Sequence, residues 1–419
     1  MSSRRRFLKQ GFLASNALVW TGFNTEAGIP MPLQSRLEDK PEAYWTELRK
    51  QFPLKAGHHF LNNGTMGPSP MQVIKAVQDS ELYLNTEAKY GGWEETFKPL
   101  SAYVGAQEEE LCLTRNVTEG INIIAWGLDL KSGDEIIVSN HEHVGNALPW
   151  LNRARVDKLN VKVLDYNLSD DALLEQLKKL ITPKTKLIAI PHIPCTTGRI
   201  MPVKEIGEIA KKNNILYFLD GAHGAGMTDL NFAELNCDFY ASCTHKWMLG
   251  PKGTGFLLIK KDKLDLVDPR FVGGYSDKGW TLLTANPHIE EWQDKAARYF
   301  YGTQNPSLYK GVVSAVDFLN EIGKTKVVAR IKQLNDHLYS KLEEVGGLDI
   351  LTPKNAHAGI VSFRIPGKDF NEAYRHFHHK HFIVRAVPEC DVNCIRVSTH
   401  IYNSFQEIDS FAETLKEYR

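Results

Sequence analysis

Short apolar runs alternate with amphipathic stretches through most of the chain after residue 70. Seven of these runs have the length and the nearly continuous hydrophobicity of strands that are buried on both faces. They cover residues 108–114, 135–139, 161–166, 186–191, 215–220, 239–242 and 255–259. Helical patterns with capping signals lie between several of them, for example after Ser169 and after Pro202. The alternation predicts an α/β fold with a large, mostly parallel seven-stranded sheet that carries helices on both faces.

The pattern changes near residue 305. The later part contains helical patterns over 308–345, 371–380 and 405–418 and strand-like runs over 359–365, 382–387 and 394–398. This mixture predicts a small C-terminal α+β domain over 306–419, which follows a large domain over 31–305.

The N-terminus is basic and then apolar. Arg4-Arg5-Arg6 precedes Phe7-Leu8-Lys9, an order that resembles a twin-arginine export signal. The apolar stretch over 11–23 has no acidic residue and is too short to span a bilayer stably, which is typical of a signal peptide. We therefore expect residues 1–30 to direct export to the periplasm and to be cleaved near Ala27, which leaves no membrane partner. An uncleaved anchor, or a basic tail on a cytoplasmic protein, is the alternative.

Charge and cysteine content exclude several classes of protein. The chain has 50 Lys and Arg residues against 50 Asp and Glu residues, so its net charge is zero. Proteins that bind nucleic acid or a membrane surface usually carry a basic excess, and we expect neither partner here. Six cysteines in 419 residues are too few for a disulfide scaffold.

An aspartate and a lysine lie where open α/β sheets place their ligands. Asp220 ends one apolar run, and Lys246 follows 26 residues later, in the polar turn after the next run. Pyridoxal-5'-phosphate (PLP) chemistry needs this pair. A lysine forms an imine with the cofactor aldehyde, and a carboxylate keeps the ring nitrogen protonated. By itself the pair is weak support, since a lysine after a strand is usually a surface residue.

The sequence around this pair resembles a known family. Asp220-Gly-Ala-His223 is followed by Ser242-Cys-Thr-His-Lys-Trp247 and then by the glycine-rich turn over 250–255. These motifs resemble the class V aminotransferases, the PLP fold type I group that includes cysteine desulfurases and isopenicillin N epimerase. The epimerase-like branch is the more similar, and the resemblance runs from about residue 60 to the end. It implies fold type I, with PLP held by Lys246 as a Schiff base.

The resemblance also implies a set of phosphate contacts. Residues 114–120 follow a strand and open a helix, where backbone N–H groups can bind a phosphate and a threonine N-cap is compatible with that role. Relatives carry a hydroxyl three residues before the lysine, but Cys243 stands there, so Ser242 is the expected substitute. Gly302-Thr303 resembles a motif that reaches the neighbouring subunit's cofactor, which implies a homodimer with shared active sites. The expected phosphate contacts are Val117, Thr118, Glu119, Ser242, His245 and Thr303.

Further positions are implied around the cofactor ring. His143 is similar to the residue that stacks on the ring, although His141 and His143 could instead be a metal pair that lacks a third ligand. Thr196, or Cys195 beside it, is expected near the phenolic oxygen of the cofactor. His223 is expected to contact the same oxygen or to tune the imine. A buried structural histidine is the alternative at that position.

Substrate binding is expected at Arg396. A guanidinium is always charged and grips a carboxylate through two hydrogen bonds, so the resemblance implies that it binds the substrate α-carboxylate. A surface charge is the alternative for a lone arginine on a strand. The histidine-rich segment over 376–381 is more typical of a solvated helix face than of a metal site.

The motifs do not fix the reaction, because the same imine supports transamination, epimerisation, elimination and desulfuration. In each case Lys246 is the natural base at the substrate Cα. Desulfuration needs a nucleophilic cysteine on a mobile loop, and Cys390 lies only six residues before Arg396, which leaves little loop. We expect an aminotransferase or epimerase that acts on the α-amino group of an amino acid or short peptide. A desulfurase or lyase and a non-catalytic PLP-fold binding protein are the alternatives, and the presence of Lys246, Asp220 and Arg396 disfavours the last.

Overall fold

The computed structural model describes residues 41–419, so the predicted export signal lies outside the described part. The helices are α1 (Pro41–Arg49), α2 (Met71–Glu87), α3 (Phe97–Val104), α4 (Val117–Gly127), α5 (Val144–Asp157), α6 (Asp170–Leu180), α7 (Val203–Lys212), α8 (Pro306–Ile322), α9 (Lys324–Val345), α10 (Phe370–His379) and α11 (Phe405–Tyr418). The strands are β1 (His59–Phe60), β2 (Leu111–Thr114), β3 (Glu135–Ser139), β4 (Asn160–Leu164), β5 (Thr185–Pro191), β6 (Leu216–Asp220), β7 (Phe239–Cys243), β8 (Gly255–Ile259), β9 (Asp277–Thr281), β10 (His288–Trp292), β11 (Asp349–Ile350), β12 (Ile360–Arg364), β13 (Phe382–Ile383), β14 (Arg385–Val387) and β15 (Cys394–Ser398). None of the helices between residues 41 and 419 combines the length and the apolar character needed to cross a membrane.

Seven strands form the large sheet in the order β2-β8-β7-β6-β5-β3-β4. The strands β7, β6, β5, β3 and β4 run parallel, whereas β8 runs antiparallel to both β7 and β2. Every residue of β3, β7 and β8 is buried, so both faces of the sheet are covered. The predicted α/β class and the mostly parallel seven-stranded sheet are confirmed.

The strand β2 is shorter than the predicted run over 108–114. Glu108–Glu110 form a single turn of 3-10 helix that Gln107 caps, and β2 begins at Leu111. Three consecutive carboxylates cannot enter a strand that is buried on both faces, because each would lose its hydration without a partner.

The smaller part of the fold is built on an antiparallel sheet with the order β11-β12-β15-β14. Its apolar core includes Phe363, Phe377 and Phe411, which come from β12, α10 and α11. The N-terminal segment contributes as well, since β1 pairs with β13 and Leu61 is buried in this core.

The boundary between the two cores lies later than residue 305. Val312 and Leu319 of α8 pack into the large core, and so does Ile331 of α9. Leu334, one turn further along α9, already belongs to the small core. The helical pattern over 308–345 is also interrupted, because Gly323 separates α8 from α9 with a φ of 96°.

Candidate active site

A cavity of about 290 Å³ lies at the carboxyl ends of β6 and β7, facing the start of α4. This is the edge of an open α/β sheet where ligands bind. Six of the predicted site residues line its wall, namely Val117, Thr118, His143, Asp220, His245 and Lys246.

Asp220 is the last residue of β6 and is almost completely buried. Burial raises the pKa of its carboxyl above the usual value, although the Ala222 N–H at 2.9 Å from Oδ1 and the charge of Lys246 oppose that rise. A cationic N–H at the other carboxylate oxygen would stabilise the ionised form further. The site is therefore suited to a protonated ring nitrogen.

Lys246 lies in the connection between β7 and β8, and its Nζ is 3.4 Å from Nε2 of His223. The N-terminal segment packs closely against this connection. The backbone N–H of Gly67 donates to the carbonyl oxygen of His245 over 2.7 Å, and a Cβ on Gly67 would lie 2.3 Å from the carbonyl oxygen of Lys246. Any side chain at position 67 would thus displace the lysine backbone.

The start of α4 forms one side of the cavity. Asn116 is its N-cap, and Oδ1 of Asn116 accepts a hydrogen bond from the N–H of Glu119 over 2.9 Å. The first N–H groups of a helix have no partner within the helix, and they favour an anion. Val117 and Thr118 line the cavity at this end, so the wall offers a place for a phosphate.

His143 is the N-cap of α5, and its Nδ1 accepts a hydrogen bond of 3.0 Å from the N–H of Gly145. Burial lowers the pKa of His143 to about 4, with Lys246 and other nearby cations adding to the effect. The ring is therefore neutral at physiological pH and is fixed by its accepting nitrogen. A neutral aromatic ring held this way can stack on a flat cofactor.

Arg396 is fully buried on β15. Its guanidinium donates to the carbonyl oxygen of Cys195 over 3.1 Å, to Oγ1 of Thr65 over 2.8 Å and to Oδ1 of Asn62 over 3.2 Å. All three acceptors are neutral, and Nε has no partner among the described residues. Burial lowers the pKa of Arg396 to about 10, which reflects the cost of a buried cation without an anion. The surface alternative for Arg396 is wrong.

The comparisons with known proteins agree with this geometry. A family model for class-V aminotransferases matches residues 73–411. The chain belongs to the aminotransferase class-V family. An isopenicillin N epimerase of Amycolatopsis lactamdurans is 30% identical over 393 residues, which cover 89% of this chain and 98% of the relative. A probable cysteine desulfurase of Methanothermobacter thermautotrophicus is 28% identical over 395 residues, with 88% of this chain and 97% of the relative covered.

Solved structures give the same family fold. A variant of C-DES with glycine covalently linked to its PLP cofactor matches with a TM-score of 0.82 and 25% identity, over 88% of this chain and 99% of that one. A cysteine desulfurase from Thermococcus onnurineus matches with a TM-score of 0.80 and 27% identity, over 89% and 97% of the two chains. The predicted fold type I is confirmed, and so are the enzyme class and the PLP cofactor.

The cavity of this class-V family member fits PLP. Lys246 offers an amine to the aldehyde, and the buried carboxyl of Asp220 gains a cationic partner from the ring nitrogen. Nδ1 of His245 is buried without a partner among the described residues, at a cavity wall that α4 also borders. A phosphate would give polar partners to this group and to the start of α4.

Two of the predicted phosphate contacts, Ser242 and Glu119, have other partners in the structure, and a third stays untested. The hydroxyl of Ser242 donates to the carbonyl oxygen of Gly221 over 2.8 Å, and Cys243 lines the cavity in its stead. The carboxylate of Glu119 pairs with Arg115, outside the cavity. Thr303 is exposed and does not line this cavity, which leaves its predicted role toward a neighbouring subunit as a prediction.

Thr196 and His141 form a buried pair, and neither lines the cavity, so the expected role of Thr196 near the phenolic oxygen stays a prediction. Oγ1 of Thr196 is 2.7 Å from Nδ1 of His141, and Nε2 of that ring is 3.0 Å from Oδ1 of Asn167. Both ring nitrogens are thus engaged, and residues 41–419 hold no cluster of metal-ligating side chains, so the metal-pair alternative is not supported.

Glu142 was not among the predicted site residues, but its side chain holds the loop beside the cavity in place. Its buried carboxyl accepts hydrogen bonds from the N–H and the hydroxyl of Ser139, over 3.0 and 2.9 Å, and from Nδ2 of Asn146 over 2.7 Å. Burial raises the pKa of Glu142 to about 8. These bonds fix the loop that presents His143. The Ser-x-x-Glu spacing at 139–142 is the signal that could have indicated this role.

Proposed function

We propose that this protein is a PLP enzyme that acts at the α-carbon of an amino acid or a short peptide, by transamination or epimerisation. The observation that carries the proposal is the buried guanidinium of Arg396, which has only neutral partners. Thr65, which accepts one of its hydrogen bonds, lies on the wall of the cavity that contains Lys246. A carboxylate would remove the cost of this uncompensated charge.

In such a reaction each residue at the cavity would have a separate role. PLP, when bound, supplies the electron sink for the charge that develops at the substrate Cα. Asp220 would hold the ring nitrogen in its protonated form, and His143 would restrict the ring. Arg396 orients the substrate by its carboxylate. Lys246 holds the cofactor through its amine and then moves a proton to and from the Cα.

A cysteine desulfurase is the second candidate, because several relatives carry that name. Cys390 is the residue that this reaction would need, and its separation of only six residues from Arg396 leaves it little loop on which to move. Its backbone has a φ of 57°, and its thiol donates to the carbonyl oxygen of Glu142 over 3.5 Å. The side chain is exposed to solvent, and its partial burial, with Cys195 and Glu142 nearby, raises the pKa of the thiol to about 11. An elimination reaction that uses Lys246 alone does not need this cysteine.

An absorption titration of the purified holoenzyme tests the proposal. L- and D-amino acids, cystine and short peptides are added while the visible band of the lysine-linked cofactor is followed. Loss of the band in favour of the pyridoxamine form supports transamination. Exchange of the Cα proton with deuterium without loss of the band supports epimerisation. Release of sulfide or pyruvate from cysteine or cystine favours the lyase alternative, and an unchanged spectrum with every compound contradicts the proposal.

Lys246→Ala is the control for cofactor attachment. This variant should lose the visible band of the lysine-linked cofactor, and Lys252→Ala should keep it, since Nζ of Lys252 donates to the carbonyl oxygen of Gly67. A band that persists in Lys246→Ala would contradict the assignment of the lysine.

We further propose that the enzyme is an exported homodimer. The support for the dimer is the exposed Thr303 and the hairpin of β9 and β10, which pairs only with itself in the described chain and exposes Trp280 and Leu283. Light scattering measures the subunit number, and a monomer would contradict the proposed dimer.

The proposed export is tested at the twin arginines. Arg4→Lys with Arg5→Lys should keep the protein in the cytoplasm, as measured by cell fractionation. Unchanged export would contradict the signal.

A further inference from the structure

His223 has different partners at its two ring nitrogens. Nε1 of Trp247 donates to Nδ1 over 3.0 Å, while Nε2 faces Nζ of Lys246 at 3.4 Å. An indole N–H is a donor only, so Nδ1 must be the accepting, unprotonated nitrogen. Burial lowers the pKa of His223 well below the usual value, which keeps the ring neutral. A neutral imidazole whose Nδ1 accepts carries its proton on Nε2.

Trp247 cannot turn away from this position. Its indole is fully buried and stacks on the ring of His400, with the centroids 5.8 Å apart. Nε2 of His400 lies 3.0 Å from the carbonyl oxygen of Trp247, which fixes the backbone as well. The other end of the indole touches Gly359, where a Cβ would lie 2.4 Å from Cζ3. The direction of the indole N–H is therefore set by packing.

We propose that Trp247 is a positioning residue that selects the tautomer of His223, so that an N–H rather than a lone pair faces Lys246 and the cofactor bound there. The opposite tautomer would place two N–H donors against each other at Trp247 and His223. It would also present an acceptor to Nζ of Lys246, which suits a free ammonium because that group only donates. The tautomer that Trp247 selects suits the lysine once its amine is linked to the cofactor. The inference rests on the cavity as the PLP site and does not depend on which reaction the enzyme catalyses.

The first test reads the tautomer directly in the native holoenzyme. All 15 histidines are labelled with ¹⁵N, and the His223 signals are assigned by their loss in His223→Gln. We expect an unprotonated Nδ1 and a protonated Nε2 at neutral pH. A protonated Nδ1, or signals that average over both tautomers, would overturn the proposal whatever substrate the enzyme uses.

The second test removes the donor. Trp247→Phe keeps an aromatic ring beside His400 but has no N–H. We expect the His223 signals to become an average of the two tautomers and kcat to fall about 10-fold, on the scale of one lost hydrogen bond. The visible band of the cofactor should shift as well, because its hydrogen-bond donor is no longer fixed.

A double variant separates tautomer selection from packing. A glutamine at 223 has an amide donor and no tautomers, so Trp247→Phe should cost much less in the His223→Gln background than in the native one. If the two effects multiply instead, Trp247 acts only through packing and the proposal fails. Should Trp247→Phe not fold, site-specific replacement of Trp247 by its benzothiophene analogue keeps the shape and removes the N–H. With that analogue, an unchanged His223 tautomer would overturn the proposal.

Discussion

At the scale of single residues, Arg396 is a buried cation whose hydrogen-bond acceptors are all neutral. Few proteins bury a guanidinium in this way without a ligand that compensates the charge. Its position beside Thr65 connects it to the wall of the cofactor cavity. The charge of Arg396 therefore favours a substrate that carries a carboxylate.

We expect Arg396→Lys to raise KM for α-carboxylate substrates by about 10-fold to 100-fold, because a single ammonium replaces two parallel hydrogen bonds. Steady-state kinetics measure this change. Arg364→Lys is the matched control, since Arg364 lies on the adjacent strand β12 and pairs with Asp349 near the surface. An equal effect of the two variants would mean that the carboxylate binds elsewhere.

Asp220→Asn should weaken PLP binding and lower kcat on the order of 100-fold, because an amide cannot stabilise a protonated ring nitrogen as a carboxylate does. Turnover and a PLP titration measure the two effects. Asp238→Asn is a control at a partly buried carboxylate outside the cavity, whose Oδ2 accepts from the N–H of Tyr217 over 2.8 Å. Unchanged turnover in Asp220→Asn would refute the role at the ring nitrogen.

Some residues of the site could be predicted from the sequence and others could not. Lys246, Asp220 and Arg396 lie within motifs whose spacing along the chain is characteristic. Glu142 carries a local signal in its Ser-x-x-Glu spacing, whereas His141 acts through Thr196 and Asn167, distant partners that a linear motif does not reveal. Ser242 was expected to bind the phosphate because it is next to Cys243 in the sequence, but its hydroxyl donates to Gly221 instead. The side chains of neighbouring residues in a strand point to opposite faces of the sheet, and that of Cys243 lines the cavity.

At the scale of elements, α4 is the part of the fold that brings backbone donors to the cavity. Its N-cap, Asn116, uses its side chain on the N–H of Glu119. That bond leaves the start of the helix well ordered and still open to an anion at Val117 and Thr118.

Asn116→Ala should lower the free energy of unfolding by about 1 kcal/mol and should also weaken PLP binding. Ser169→Ala is the matched control, because Ser169 caps α6 in the same way but away from the cavity. Chemical denaturation and PLP titration on both variants separate the two effects. If both variants lose PLP affinity equally, α4 has no special role in holding the cofactor.

The elements themselves were predictable where their hydrophobic pattern was simple. The buried strands are continuous apolar runs in the sequence. The carboxyl ends of these runs predict the edge of the sheet at which the cavity lies. The break at Gly323 was not resolved by the pattern, because α8 and α9 both continue the amphipathic spacing across it. A single glycine with positive φ decides the geometry there.

At the scale of the whole molecule, buried histidines link stability to pH. His400 is fully buried, and burial lowers its pKa to about 4. Its Nδ1 accepts from the N–H of Ile401 over 2.9 Å, and its Nε2 lies 3.0 Å from the carbonyl oxygen of Trp247. A proton added to Nδ1 would break the first of these bonds.

The unfolded chain binds a proton at this histidine near pH 6.5, whereas the folded chain does so only near pH 4. The folded state should therefore lose up to about 3 kcal/mol as the pH falls from about 6.5 to about 4, with no further loss from this group below that. Urea denaturation over this range measures the slope. His400→Gln should reduce the slope by the share of this one group, since His143 and His192 keep theirs. The exposed His288→Gln should not reduce it. A slope in His400→Gln equal to that of the native protein would contradict the assignment.

The passage of α9 from one core into the other has a mechanical consequence. The helix has 22 residues and is about 33 Å long; Val327 and Ile331 anchor it in the large core, and Leu338 and Leu342 anchor it in the small core. Nδ2 of Asn335, further along it, donates to Oγ1 of Thr399 over 2.7 Å, close in sequence to Arg396. Because one continuous helix is packed into both cores, it ties the part of the fold that carries Arg396 to the part that carries Lys246.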